Sequence, residues 1–165
     1  MRIDFTQKLI NSWEWLNSYC LSKRDDYGLS CGRHAVCVVQ IDDFYKMKIV
    51  WGNETGAILK NMEEIMSDYA MDDNLIARFS DSTFVVVLHY LDSLEEINEI
   101  CEEMKAAIND AHLGTEDAPL TVSIGASICR HDPNYGYQCA MSYALEALEE
   151  AHKQKDTINV SKALA

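Results

Sequence analysis

Two adjacent acids, Asp42 and Asp43, end a run of apolar residues, and carboxylates are what a hard divalent cation seeks. Adjacent residues in an extended chain point to opposite faces, so this pair is poorly arranged to chelate one ion. A solvated or helix-capping role is expected for both. Farther on, Arg78 precedes the polar tetrapeptide Ser80-Asp81-Ser82-Thr83. Asp in such a turn ordinarily hydrogen-bonds nearby backbone, and Arg78 is expected to form a structural ion pair with a neighbouring acid. Cys31 and His34 make one C-x-x-H pair, but no second pair follows at zinc-site spacing. The histidines (34, 89, 112, 131 and 152) are scattered and resemble no ligand set. The six cysteines include no CxxC pair, and Cys37 and Cys129 sit in apolar runs where a thiol behaves as a small hydrophobe.

These residues need a scaffold, and the chain has the length for one. At 165 residues, 48% hydrophobic and 25% charged, it suits a single globular domain with its own core. A net charge of −13 repels phosphate backbones and anionic lipid, which disfavours direct nucleic-acid or membrane binding. The N-terminus is polar throughout, no apolar stretch reaches a membrane span, and a cytoplasmic location is expected.

Apolar residues at Phe5, Leu9, Trp13, Leu16 and Cys20 predict a leading helix, with Trp15 off its stripe; packing of both tryptophans on the domain itself is the favoured expectation, and docking of a partner by one of them is the alternative. The polar loop after it completes a segment over 1–34, ahead of a main domain at 35–165. Ala35 to Ile41 is a nearly continuous apolar run, so it reads as a strand buried on both faces. A helix is expected from about Thr55 to Tyr69. A hairpin follows, Leu75 to Phe79 returning as Phe84 to Leu88. Another helix covers about Ser93 to Ala111, capped by Asp92 or Ser93. A strand from Leu120 to Cys129, a helix from Tyr137 to Lys153 and a short edge strand at Thr157 to Val160 complete the order. That is a ferredoxin-like β-α-β-β-α-β core of α+β class: a mostly antiparallel sheet covered by helices, expected on one face.

Three segments resemble the GGDEF (diguanylate cyclase) family in order and spacing. VVQIDDFYKMKIVWGNETG resembles its opening D-x-D-x-F-K-x-x-N-D-x-x-G-H-x-x-G-D, with Asp42, Phe44, Gly52 and Gly56 in register. LIARFSDSTFVVVL resembles L-x-A-R-x-G-G-D-E-F-x-x-x-L through Leu75, Ala77, Arg78, Phe84 and Leu88. LTVSIGAS carries the S-I-G of the family at Ser123, Ile124 and Gly125, and the ending ALEEAHKQKDTINV is looser. The family joins two GTP molecules into cyclic di-GMP across a dimer, using Mg²⁺.

The resemblance implies that the groups for this chemistry have been replaced. Gln40 stands for the first-strand carboxylate, and Ser82 and Thr83 for the acids of the signature, which reads Ser-Asp-Ser-Thr-Phe. Ser80 and Asp81 replace the glycine pair that lets phosphates approach the backbone. Lys48 and Ala57 stand for the guanine-reading pair, Tyr45 for a lysine, and His152 and Asp156 for the phosphate-holding lysine and arginine. Met71 and Asn74 replace the R-x-x-D of the product-binding site. Neither Mg²⁺ nor GTP is expected to bind. The resemblance thus implies an inactive domain for signal relay, dimerisation or protein binding within a bacterial regulator. One alternative is a sensor holding another nucleotide or small molecule in the former GTP groove, with Asp42, Tyr45, Lys46, Lys48, Arg78 and Asp81 as candidate contacts. A residual cyclase or altered enzyme is the other.

Overall fold

A computed structural model describes residues 33–70, 75–91, 93–129 and 136–163. The predicted leading helix with Trp13 and Trp15, Cys31, Met71, Asn74 and His131 lie outside them. Strand β1 (Arg33–Ile41) leads into helix α1 (Phe44–Trp51), a 3₁₀ turn and helix α2 (Thr55–Ser67). The hairpin β2 (Leu75–Arg78) and β3 (Thr83–Leu91) follows, then α3 (Leu94–Asp110), β4 (Val122–Cys129), α4 (Gly136–Gln154) and β5 (Ile158–Ser161).

The sheet order is β2-β3-β1-β4-β5. Strand β1 lies at its centre and pairs antiparallel with both β3 and β4; β5 joins β4 in parallel. The α+β class and the ferredoxin-like core are as the sequence predicts. Ser93 caps α3, its hydroxyl accepting from Glu96 N at 3.2 Å, and Glu95 and Glu96 in the first turn favour the positive helix end.

Helices cover both faces of the sheet, which corrects the one-face expectation. Alternate residues of the central strands divide the core. Cys37, Val39, Ile124 and Ala126 face one cluster with Met62 and Met66 of α2 and Ile97, Met104 and Ile108 of α3. Val36, Val38, Val85 and Val87 are equally buried on the other side, where α4 packs on β4 and β1. Within the first cluster Cys37 and Cys101 are free thiols with sulfurs 3.7 Å apart. The bond from Cys101, then burial, pushes the Cys37 thiol well above its ordinary value, which suits an inert apolar side chain.

Helix α1 is absent from the sequence-based reading. It buries only Phe44 and Trp51, seven residues apart, so its pattern lacks a continuous apolar stripe. Trp51 ties it inward: the indole N–H donates to the Ala118 carbonyl at 2.7 Å.

Gly125 fixes how closely α4 lies on the sheet. A Cβ there would stand 2.2 Å from the Ala144 carbonyl oxygen and 2.3 Å from Leu148 N. Those are backbone atoms, so the helix itself would have to move. Four alanines, Ala140, Ala144, Ala147 and Ala151, are buried on its inner face beside Met141 and Leu148. Gly125→Ala is therefore expected to cost about 3 kcal/mol of stability or prevent folding, read from the urea midpoint; an unchanged midpoint would refute this packing.

Candidate functional site

The polar side chains gather at one end of the sheet, on the face that α4 covers. Gln40, on the last turn of the pleat in β1, is paired in register with Thr83 of β3 and Ser123 of β4. Cross-strand partners share a face, so these three form a polar row across the central strands. His152 enters the row from α4. Its Nε2 bonds the Gln40 side-chain oxygen, and its Nδ1 lies 3.4 Å from Asp42 Oδ1. The Gln40 amide nitrogen in turn donates to Thr83 Oγ1 at 3.0 Å.

Asp42 anchors this chain of contacts. Only 3% exposed, it accepts from Ser123 Oγ at 2.6 Å through one oxygen. Its other oxygen accepts from Thr121 Oγ1 at 2.7 Å and from the backbone N–H of Asp156 at 2.9 Å. With His152 beside it, the carboxylate has a neighbour for each lone-pair direction. The expectation that Asp42 is solvated or caps a helix is thereby overturned. It lies one residue beyond β1, and β4 and the turn after α4 converge on it.

Presenting the Asp156 amide requires an unusual turn. Lys155 and Asp156 have φ of 56° and 47°, consecutive left-handed residues without a glycine. Lys155 is held by an ion pair from Nζ to Asp43 Oδ2 at 2.5 Å. Asp156 is held by Lys105 Nζ at 3.1 Å and Asn109 Nδ2 at 3.3 Å. Asp43 stands at the N-cap position of α1 without a side-chain capping bond, so it is exposed as expected but caps nothing.

The signature hairpin is built by its own residues. Ser80 Oγ accepts from Ser82 N at 3.2 Å, the turn bond that the sequence assigns to Asp81. The Asp81 side chain lies 3.7 Å from Arg78 Nη2. Arg78 is the structural ion pair expected of it, bonding Glu63, donating to the Ser80 carbonyl at 3.1 Å and stacking 5.8 Å from the Phe84 ring centre. Tyr45, Lys46 and Lys48 lie on the exposed side of α1 rather than in the polar row. A cavity of about 480 Å³ opens on the other side of Thr121 and Asp156, also lined by Asn109, His112 and Glu116, and none of the sequence candidates lines it.

Sequence reasoning placed His152 only as a replaced family position and missed its contact with Asp42, together with Thr121 and the donor role of Ser123. The legible hint was positional: His152 and Asp156 stand in the C-terminal segment that resembles the family ending, and both contact Asp42.

The arrangement is an α+β domain with its polar site where β1, the β2–β3 hairpin and the end of α4 meet. The family model described as diguanylate cyclase, GGDEF domain, matches residues 23–157, and the chain belongs to that family. Similar solved structures include the GGDEF domain of DgcB from Caulobacter crescentus in complex with c-di-GMP, at TM-score 0.75 and 16% identity over 97% of each chain. The active GGEEF domain of a diguanylate cyclase from Vibrio cholerae has TM-score 0.71 and 15% identity, over 90% of this chain and 92% of that one. Diguanylate cyclase SiaD from Pseudomonas aeruginosa, in complex with its activator SiaC, has TM-score 0.74 and 16% identity; 90% of this chain corresponds to 57% of SiaD. At such identities the likeness shows the fold. No curated protein sequence matches.

Two outcomes follow from the geometry. Asp42→Ala leaves the Ser123 and Thr121 hydroxyls and the Asp156 amide without their acceptor, and should cost about 3 kcal/mol, whereas Gln40→Leu should cost only about 1 kcal/mol; equal losses in denaturant melts would contradict the ranking. The hydrogen bond from Lys155 holds the Asp43 carboxyl below its ordinary value of 3.8. The pair thus stabilises the fold above that value, and the gain is lost as pH falls through the lower folded-state value. A carbon-detected NMR titration should show the Asp43 midpoint rising toward 3.8 in Lys155→Met; an unmoved midpoint would exclude Lys155 as the cause.

Proposed function

We propose that this GGDEF domain is catalytically inactive and serves as a regulatory, signal-relay or protein-interaction module of a bacterial signalling or transcription regulator in the cytoplasm. The observation that carries the reading is the occupancy of the polar row. Where the family resemblance calls for carboxylates, Gln40 and Thr83 are neutral and hydrogen-bonded to each other. Ser82, also neutral, stands beside them.

Mg²⁺ needs charged oxygen ligands with free lone pairs. The surviving carboxylate, Asp42, is buried with its oxygens turned to Ser123, Thr121, Asp156 N and His152. This donor set does not fit the metal. Ser80 and Asp81 add bulk and negative charge where a polyphosphate would approach the hairpin. Among the described residues no helix is long and apolar enough to cross a membrane.

A role in protein contacts draws support from α1. Tyr45, Ile49 and Val50 are 81%, 83% and 53% exposed on this one short helix. Large side chains exposed together are a common mark of an interaction surface. SiaD, of similar fold, was solved with an activator protein, which sets a precedent for partner binding by a chain of this type.

Calorimetric titration with GTP and Mg²⁺, with chromatography of the mixture for cyclic di-GMP, tests the reading. The expected result is neither heat of binding nor product. Formation of cyclic di-GMP would overturn it, and saturable binding without product would shift it to a nucleotide sensor.

A further inference from the structure

Helix α1 is about two turns long, and its packing decides which side stays free. Phe44 and Trp51 are buried and Met47 is half-buried against the core, so these three form the inner side. At about 100° per residue, Tyr45 and Ile49 stand one turn apart on the opposite side. Lys48 falls on one flank of that pair, and Lys46 on the other, with Val50 a turn beyond Lys46. All five are exposed. The free side of α1 is therefore an apolar stripe bracketed by two lysines.

The charge on this side is uncommitted. Helix α1, FYKMKIVW, contains no acid. Asp43, the acid just before it, is taken by Lys155 at 2.5 Å. Among the described residues neither Lys46 nor Lys48 has an ion-pair partner, and Lys48 Nζ lies 6.0 Å from the centre of the Phe44 ring. The surface is also held in place at both ends, by that ion pair and by the Trp51 indole on the Ala118 carbonyl. A preformed face spares the ordering cost on its own side of a contact.

The complement of this face has apolar side chains one helical turn apart with carboxylates to either side. An uncharged apolar segment would desolvate two lysines without answering them, and a basic one would be repelled. An anionic bilayer would extend past α1 and meet the rest of a chain of net charge −13. A single peptide segment covers α1 alone, and charges more than about 8 Å away are largely screened at physiological salt.

We propose that α1 is a docking face for an acidic amphipathic segment of another protein. Apolar side chains of that segment would cover Tyr45, Ile49 and Val50, and its carboxylates would pair with Lys46 and Lys48. The proposal deepens the interaction-module reading and rests on it for its biological sense. The two fail separately, since peptide binding is measured without GTP and turnover without peptide.

The probe is a fluorescein-labelled synthetic helical peptide of about 15 residues, with a leucine stripe bracketed by glutamates. Anisotropy is followed as the full chain is added at about 0.15 M salt. Saturable binding is expected, with amide NMR shifts concentrated at Ile49 and Val50. Replacing the peptide's glutamates by glutamines should weaken binding at least about tenfold, and Lys46→Glu with Lys48→Glu should do the same. Ile49→Asp should abolish it while circular dichroism matches the parent, since the side chain touches solvent rather than core. No binding by the parent would overturn the proposal, as would equal affinity for the glutamine peptide or binding that survives both variants. Sedimentation of the chain with phosphatidylglycerol vesicles, lost in the same variants, would assign the face to lipid and overturn it too.

Discussion

A carboxylate taken out of water needs donors to replace its hydration, and Asp42 imposes that requirement on two distant stretches of chain, around Ser123 and around Asp156. Its oxygens are met by a strand residue, a pre-strand residue and a turn amide lying 81, 79 and 114 positions away in sequence. The histidine of α4 completes the ring. Each donor arrives only if the strand register, the end of α4 and the left-handed turn after it are all correct. The electrostatic demand of one side chain therefore ties the middle of the sheet to its C-terminal element.

The same demand accounts for features that look unfavourable when taken alone. Two consecutive non-glycine residues at positive φ cost free energy, of order 1 kcal/mol or more each. Lys155 and Asp156 adopt that conformation and are both held there by opposite charges. The turn delivers a backbone N–H to Asp42, so local strain is offset by satisfying a buried charge.

Most of the architecture was legible because periodicity reports burial. The strands and the long helices α2, α3 and α4 lie within a few residues of where their apolar spacing puts them. Helix α1 was not legible, since two buried aromatics a full heptad apart leave no stripe to see. The second helical layer had in fact been signalled. An uninterrupted apolar run such as Ala35 to Ile41 must be covered on both sides, and that argues against helices on one face only. The site was the least legible part. The replaced family positions can be read residue by residue, but the fate of Asp42 depends on donors far along the chain. Its neighbour in sequence, Asp43, has the same chemistry and the opposite environment.

The position of β1 at the centre of the sheet bears on how the chain is made. Both of its neighbours, β3 and β4, are synthesised later, with helices α2 and α3 intervening. During translation the central strand thus leaves the ribosome with both edges open, and the second edge closes only once β4 has emerged. Such long-range pairing slows folding and leaves a sticky edge in the meantime. The acidic composition of the chain is one safeguard over that interval, since like-charged nascent chains keep apart until the last strand of the core arrives.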